Sequence, residues 1–286
     1  AASDVYKRQR HELTAKELNR MDAPWTGSAP RYPAGKILVA NFPGVKPGSV
    51  IEYTLIRKEK TPWGSEFTGL FGNVIPTLQK RVTVTADAGV KLTQNEIPSG
   101  VTRQDNTLIS NNIPPDADEP GAPPLEQFVP ALRASDSDYE AYGKLLLAEV
   151  KRLAADQSAA AAKARELVAK EQDVAARILA IRNFVARSIR NAGPSFTELP
   201  LTALTPADKT LADGYGNSAD RAILLKSMLD AVGIPSTLLA ASTLPDTPGY
   251  RAQVQEIPEP EVFNHLLLAV RSGNETWSVS YTHLTL

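Results

Sequence analysis

The sequence contains no cysteine, and that absence excludes disulfides, thiolate metal ligands and a thiol nucleophile in one step. Histidine is scarce too. His11, His265 and His283 are the three in the chain, and they are too dispersed to spell a zinc site, so no metal or other cofactor is implied. Neither sign of charge dominates: 31 Lys+Arg stand against 32 Asp+Glu, and no long basic run is present. This balance disfavours nucleic acid and anionic lipid as partners. No apolar run approaches the roughly 18 residues of a membrane-spanning helix. What is present is ordinary globular composition, 42% hydrophobic and 22% charged, over 286 residues, a length sufficient for two domains.

The two ends read differently from the rest. Residues 1–9 (Ala-Ala-Ser-Asp-Val-Tyr-Lys-Arg-Gln) and 279–286 (Val-Ser-Tyr-Thr-His-Leu-Thr-Leu) look like translated adapter sequence at the edges of a metagenomic assembly. We expect neither to be native. His283 falls in one of these ends and His11 beside the other, so neither is given a role.

Between them the pattern divides the chain. Lys36–Phe42, then a Pro43-Gly44 to Pro47-Gly48 turn, then Ser49–Arg57 reads as strand, turn, strand, the second alternating Val50, Glu52, Thr54 and Ile56 with Ile51, Tyr53, Leu55 and Arg57. Arg81–Thr85, Val90–Thr93 and Thr107–Ile109 continue with short strands, which argues for an antiparallel β-sandwich over 10–112. Residues 113–134, rich in proline and acid, read as a linker. Residues 135–278 then give helices followed by strands. Ser135 or Asp136 caps a helix through Tyr142, Leu146 and Leu153, with a break near Ala155–Ser158. Asp173 caps a second helix carrying Val174, Ile178, Ile181, Val185 and Ile189 on one stripe. Arg177, Arg182, Arg187 and Arg190 fall mostly off that stripe and read as a solvated face. Phe196–Asp213 reads as a loop. Thr237–Ala241 and His265–Val270 read as strands, with a proline-spaced excursion over Pro245–Pro260 between them and a turn at Ser272-Gly273-Asn274-Glu275 before Trp277.

The most informative stretch is Gly214–Val232. Gly214 and Gly216 permit close backbone approach, Asn217 and Ser218 are good N-cap types, and an apolar run through Ala222, Leu225, Leu229 and Val232 follows until Gly233 and Pro235 stop it. Ser218 at the head of such a helix meets free N–H groups and the positive end of the macrodipole, a place suited to an anion or oxyanion. Asp220 in the first turn is favoured by the same dipole. Tyr215 offers apolar or stacking surface at the mouth of a cleft, and Trp63 offers it with core packing as the alternative.

The pattern Gly214-Tyr-Gly216-Asn-Ser218-Ala-Asp220-Arg-Ala222, its apolar helix and the Ala231-Val-Gly-Ile-Pro235 that follows resemble the nucleophile helix of the bacterial transglutaminase-like (papain-like) superfamily. Asn264-His265, heading Leu266–Val270, resembles the strand that bears that family's histidine. The stretch Phe42-Pro-Gly-Val-Lys-Pro-Gly-Ser-Val-Ile-Glu-Tyr53 resembles the uncharacterised β-sandwich domain that commonly precedes transglutaminase-like domains. Together these cover most of residues 30–277. The resemblance implies an α+β fold: an N-terminal antiparallel β-sandwich, then a transglutaminase-like α+β domain, truncated at its C-terminus. In the family the position of Ser218 holds the nucleophilic cysteine, which this chain lacks. The family's aspartate on the next strand also has no counterpart, since no Asp follows Asp246.

Two functional expectations follow. The first is a non-catalytic protein of the periplasm or cell envelope, a pseudoenzyme whose degenerate cleft at Ser218, His265, Tyr215, Gly216, Asn217, Asp220 and Asn264 binds a peptide or a cell-wall or polysaccharide ligand. The second is a hydrolase or acyltransferase using Ser218 with His265. A serine hydroxyl is too weak an acid to be ionised by a helix end alone and requires a base. No oligomeric state is specified by the sequence.

Overall fold

The computed structural model of the chain describes residues 2–4, 9–33, 35–58, 61–116, 119–123, 125–243, 247–272 and 275–280. Turn chemistry and alternation build the first half from short strands: β1 (Ala2–Asp4), β2 (Gln9–His11), β3 (Leu18–Asp22), β4 (Lys36–Ala40), β5 (Ser49–Ile51), β6 (Glu66–Leu70), β7 (Thr77–Thr83), β8 (Thr93–Gln94), β9 (Thr102–Gln104), β10 (Thr107–Ile113) and β11 (Ala131–Ser135). They pair antiparallel in the orders β2-β1-β5, β3-β4, β7-β10-β9 and β6-β11-β8. Phe71 and Leu132 from the last of these sheets meet Val82 and Leu108 from the β7-β10-β9 sheet in a small shared core.

The second half starts with helices. They are α1 (Tyr139–Ala154), α2 (Ser158–Leu167), α3 (Val174–Ser188), α4 (Ala207–Asp213) and α5 (Ser218–Ala231), with the two-residue strands β12 (Arg190–Asn191) and β13 (Tyr215–Gly216) pairing in parallel. Then come β14 (Ser236–Ala241), α6 (Pro248–Glu256), β15 (His265–Ser272) and β16 (Glu275–Val279), the three strands forming an antiparallel sheet in that order. Among the described residues no helix is long and apolar enough to cross a membrane.

Helix α5 is the centre of this half. It packs against α1, α2, α3, α4 and β15, so Ile223, Leu224, Leu225, Met228 and Leu229 are fully buried although they point in different directions around the helix. Each such side chain contributes roughly 1.5–3 kcal/mol of transfer free energy. Two cations within it find partners in the helix and on neighbouring segments: Lys226 Nζ donates to Asp230 and to the Ser236 carbonyl, both at 2.9 Å, and Arg221 donates to the carbonyls of Val185 and Ala186.

The expected fold class, an α+β chain with antiparallel strands first and helices before strands in the second half, is the one observed. The cap at Asp173 is present, accepting from the Ala176 N–H at 2.9 Å, and the break after α1 contains Asp156 at φ 55°. Several local expectations are corrected. The strand expected over 49–57 pairs only over Ser49–Ile51, and the one expected at Val90–Thr93 pairs only at Thr93–Gln94. The last residues of the expected linker form β11, every residue of which is buried, because Arg133 and its neighbours pair with β6 rather than spanning solvent. Asp138, not Ser135 or Asp136, caps α1. Phe196–Asp213 holds α4, with Pro206 at its N-cap, where a missing N–H costs nothing. Pro248 likewise opens α6 inside the expected excursion. Arg182 is buried, donating through Nε to the Ser280 carbonyl at 2.8 Å, and does not belong to a solvated face. Trp63 is core packing, edge-to-face on Tyr142 with ring centroids 4.9 Å apart. The turn residues Gly273 and Asn274, and the C-terminal residues 281–286, lie outside the described residues.

Candidate functional site

The head of α5 is assembled by three backbone devices. Gly214 takes φ 68° and ends α4; β13 then lies along β12, with Arg190 N–H donating to the Gly214 carbonyl and Ala192 N–H to that of Gly216. Gly216 must be glycine for space, since a Cβ there would sit 2.9 Å from Asp220 Cβ and 3.1 Å from Thr210 Cγ2. Asn217 is the N-cap, its Oδ1 accepting from the Asp220 N–H at 3.1 Å, so Ser218 is the first helical residue rather than the cap. Ser218 is half-buried.

What holds this head in place comes from the other end of the chain. Asp220 is fully buried, and its carboxylate accepts from Tyr32 Oη at 2.6 Å, Arg31 Nη2 at 2.9 Å and the Thr205 N–H at 2.8 Å. The same Tyr32 hydroxyl accepts from the Asn217 N–H at 2.5 Å. Arg31 also donates to Asp213 at 2.6 Å and to the Tyr215 carbonyl at 3.0 Å, and its guanidinium lies over the Tyr215 ring at 4.7 Å. Arg190 approaches the same ring at 5.4 Å. The Tyr32 ring fits only because residue 193 is glycine, where a Cβ would fall 2.3 Å from the ring.

Tyr215, Gly216, Asn217 and Asp220 are therefore gathered, as expected, but around Arg31 and Tyr32. Asp220 and Asn217 are buried members of this cluster and do not line an open cleft, because their hydrogen-bonding capacity is spent on Arg31, Tyr32, Thr205 and the helix. One donor is left over: Asn217 Nδ2 is buried with no hydrogen-bond partner. Asn264 stands apart, its Oδ1 accepting from both the N–H and the hydroxyl of Thr243 at 3.0 Å, which closes the loop before β15. His265 is the half-buried first residue of β15, opposite Ala241. By strand alternation it shares a register with Leu267 and Ala269, whereas Leu266, Leu268 and Val270 face the core that α5 fills. Ser218 and His265 head two elements that pack together, α5 and β15, with His265 in register with the β15 residues turned away from that core.

Arg31 and Tyr32 escape a reading of the sequence because they lie more than 180 residues from their partners. The only local hint is an arginine–tyrosine pair between two prolines, Pro30 and Pro33.

Burial and the adjacent Asp220 carboxylate push the Tyr32 hydroxyl well above the ordinary tyrosine range. Burial, with smaller effects from Glu66 and Glu261, pushes Tyr142 up to about 12. A tyrosine that keeps its proton in the folded chain and loses it in the unfolded chain stabilises fully below the unfolded value, and that stability is lost as pH rises through and above about 10. The unfolding free energy is therefore expected to fall above about pH 10, by up to about 1.4 kcal/mol per pH unit for each such tyrosine. Urea titrations at several alkaline pH values check this; Tyr32→Phe should give a shallower decline than the parent protein, and an unchanged slope would refute the assignment.

The chain resembles known proteins as follows. The family model DUF3857, a domain of unknown function with a solved structure, matches residues 5–115. A search of curated proteins finds no match. Among solved structures, a candidate protease from Parabacteroides distasonis superimposes with TM-score 0.72 at 18% identity, over 98% of this chain and 55% of that one. A candidate cysteine protease from Cytophaga hutchinsonii gives TM-score 0.37 at 11% identity, over 80% of this chain and 70% of that one. The periplasmic domain of TgpA from Pseudomonas aeruginosa gives 0.31 at 14%, over 78% and 71%. The first of these likenesses shows a shared fold along nearly the whole chain, and the chain spans 55% of that protein's length. The class defined is an α+β fold, antiparallel β-sheets first and then helices before an antiparallel sheet, shared with that first structure.

Proposed function

We propose that this chain is a non-catalytic member of that fold class, an envelope protein in which the head of α5 binds a peptide or a cell-wall or polysaccharide ligand. The observation that carries this reading is the content of the helix head: a serine where the resembling family has its nucleophile, in a chain without cysteine, flanked by Asn217 and Asp220 committed to structural hydrogen bonds. A hydroxyl at a helix N-terminus stays protonated, because dipole stabilisation of this size cannot ionise so weak an acid. With amide and ester substrates the purified protein is expected to show no turnover. Turnover that disappears in Ser218→Ala would reject this reading.

One observation favours a second reading, a hydrolase or acyltransferase built on Ser218 and His265: these residues head packed elements, in a fold shared with a candidate protease. That reading requires His265 to take the serine's proton. Mass spectrometry after fluorophosphonate treatment separates the two, since only an activated Ser218 would be labelled.

A further inference from the structure

The two halves of the chain meet around a cavity of about 850 Å³, a size typical of ligand sites, which often lie at such junctions. It is bordered by Glu66 and Thr68 from one face of β6, Arg133 of β11, Tyr250 of α6, and Glu259 and Glu261 from the segment between α6 and β15. Among the described residues none from the head of α5 borders it. Arg133 and Glu259 are its buried members, at 1% and 8% exposure, and they form an ion pair at 2.6 Å. Stability alone is a poor reason to keep such a pair, since apolar side chains of similar volume often do as well or better. The neighbouring threonine supplies a better one. The Thr68 hydroxyl accepts from Arg133 Nη1 at 3.4 Å and donates to Glu259 Oε1 at 3.3 Å, so the pair engages an alcohol as acceptor and donor at once. Both contacts are long for hydrogen bonds, and this alcohol is loosely held.

We infer that this cavity binds a short oligosaccharide of neutral sugars. A sugar hydroxyl both donates and accepts, so it pairs with a carboxylate and a guanidinium alike, as the Thr68 hydroxyl does. Other ligand classes fit less well. An acidic ligand would meet three carboxylates, Glu66, Glu259 and Glu261, while a cationic one, able only to donate, would stand beside Arg133, which also only donates. An apolar ligand would strip water from the carboxylates and give nothing in return. Glu66 and Glu261 also interact within the chain, but a carboxylate has roughly four acceptor sites and serves a sugar hydroxyl as well. Apolar surface for the C–H face of a sugar ring comes from Tyr250, whose own ring lies over the Arg133 guanidinium at 5.1 Å. This site is independent of the one proposed at the head of α5.

Isothermal titration of the whole chain with cellotetraose, maltotetraose and the N-acetylglucosamine tetramer provides the test, with tetralysine as the cationic comparison. At least one sugar is expected to bind with Kd below about 1 mM, and to bind about tenfold more weakly to Glu261→Ala and to Thr68→Ala. Both positions are exposed, so both variants keep the fold. Ser218→Ala should bind that sugar as the parent chain does. Binding by none of the three sugars, or by tetralysine alone, would overturn the inference. So would sugar binding that both cavity variants leave intact. Loss of sugar binding in Ser218→Ala alone would also overturn it, while supporting the reading of the α5 head given above. Hydrogen exchange on the unaltered protein locates the sugar without any mutation. Slower exchange over residues 66–70 and 259–262 on adding the sugar is expected; protection confined to residues 214–221 would refute the cavity as the site.

Discussion

Replacing Asp220 by alanine is expected to lower the unfolding free energy by about 3–5 kcal/mol, the usual cost of removing one partner from a buried ion pair. The carboxylate has no exposed surface, and three donors from separate parts of the chain converge on it: Arg31, the Tyr32 hydroxyl and the Thr205 N–H. Burial raises the Asp220 carboxyl above the ordinary aspartate range, against the opposing pull of Tyr32, Thr205 and Arg31. With every neighbour a donor, the geometry is that of a carboxylate. Alanine would leave the Tyr32 hydroxyl and the Thr205 N–H without an acceptor and Arg31 with only Asp213 as a charged partner, each buried polar group left unpaired costing about 1–3 kcal/mol. Asp220→Asn keeps the volume and one acceptor and should cost less. The measurement is the urea midpoint at constant slope; a loss below about 1 kcal/mol would show that the cluster is not needed to hold the head of α5.

The second large effect is expected at the β6-β11-β8 sheet. Glu259→Ala should cost about 3–5 kcal/mol for the same reason. Arg133 is 1% exposed and donates through Nη1 to both Glu259 oxygens, at 2.6 and 2.8 Å, and through Nε to Gln253 at 3.1 Å, with the Tyr250 ring at 5.1 Å. Without Glu259 the guanidinium keeps only neutral partners among those contacts. Replacing both members, Arg133→Met with Glu259→Leu, removes the uncompensated charge and is expected to recover most of the loss. Thermal or urea unfolding of the two variants side by side gives the answer; a double variant as unstable as Glu259→Ala would mean that hydrogen bonding to Arg133, rather than charge, holds α6 to the sheet.

Much of the second half was legible because local signals there agree with one another. Asp173 caps α3, Gly214 and Gly233 take the positive φ that glycine allows, and the apolar positions of α5 lie in the core. The first half was less legible. Its alternation at Glu52–Arg57 says strand, but a strand exists only where a ladder forms, and the observed strand there ends at Ile51. Prolines misled in the other direction: Pro206 and Pro248 mark helix starts, although in sequence they read as loop punctuation.

The sequence by itself determined the fold class, the position of the central helix and the absence of a thiol from its head, because those depend on residue type and on spacings of three, four or two. Only the tertiary structure decided what that head is made of. Arg31 and Tyr32 reach Asp220 from 189 and 188 positions away, and Glu259 reaches Arg133 from 126. Pairings of this kind depend on which buried charges the packed chain brings within hydrogen-bond distance, and no local pattern encodes that.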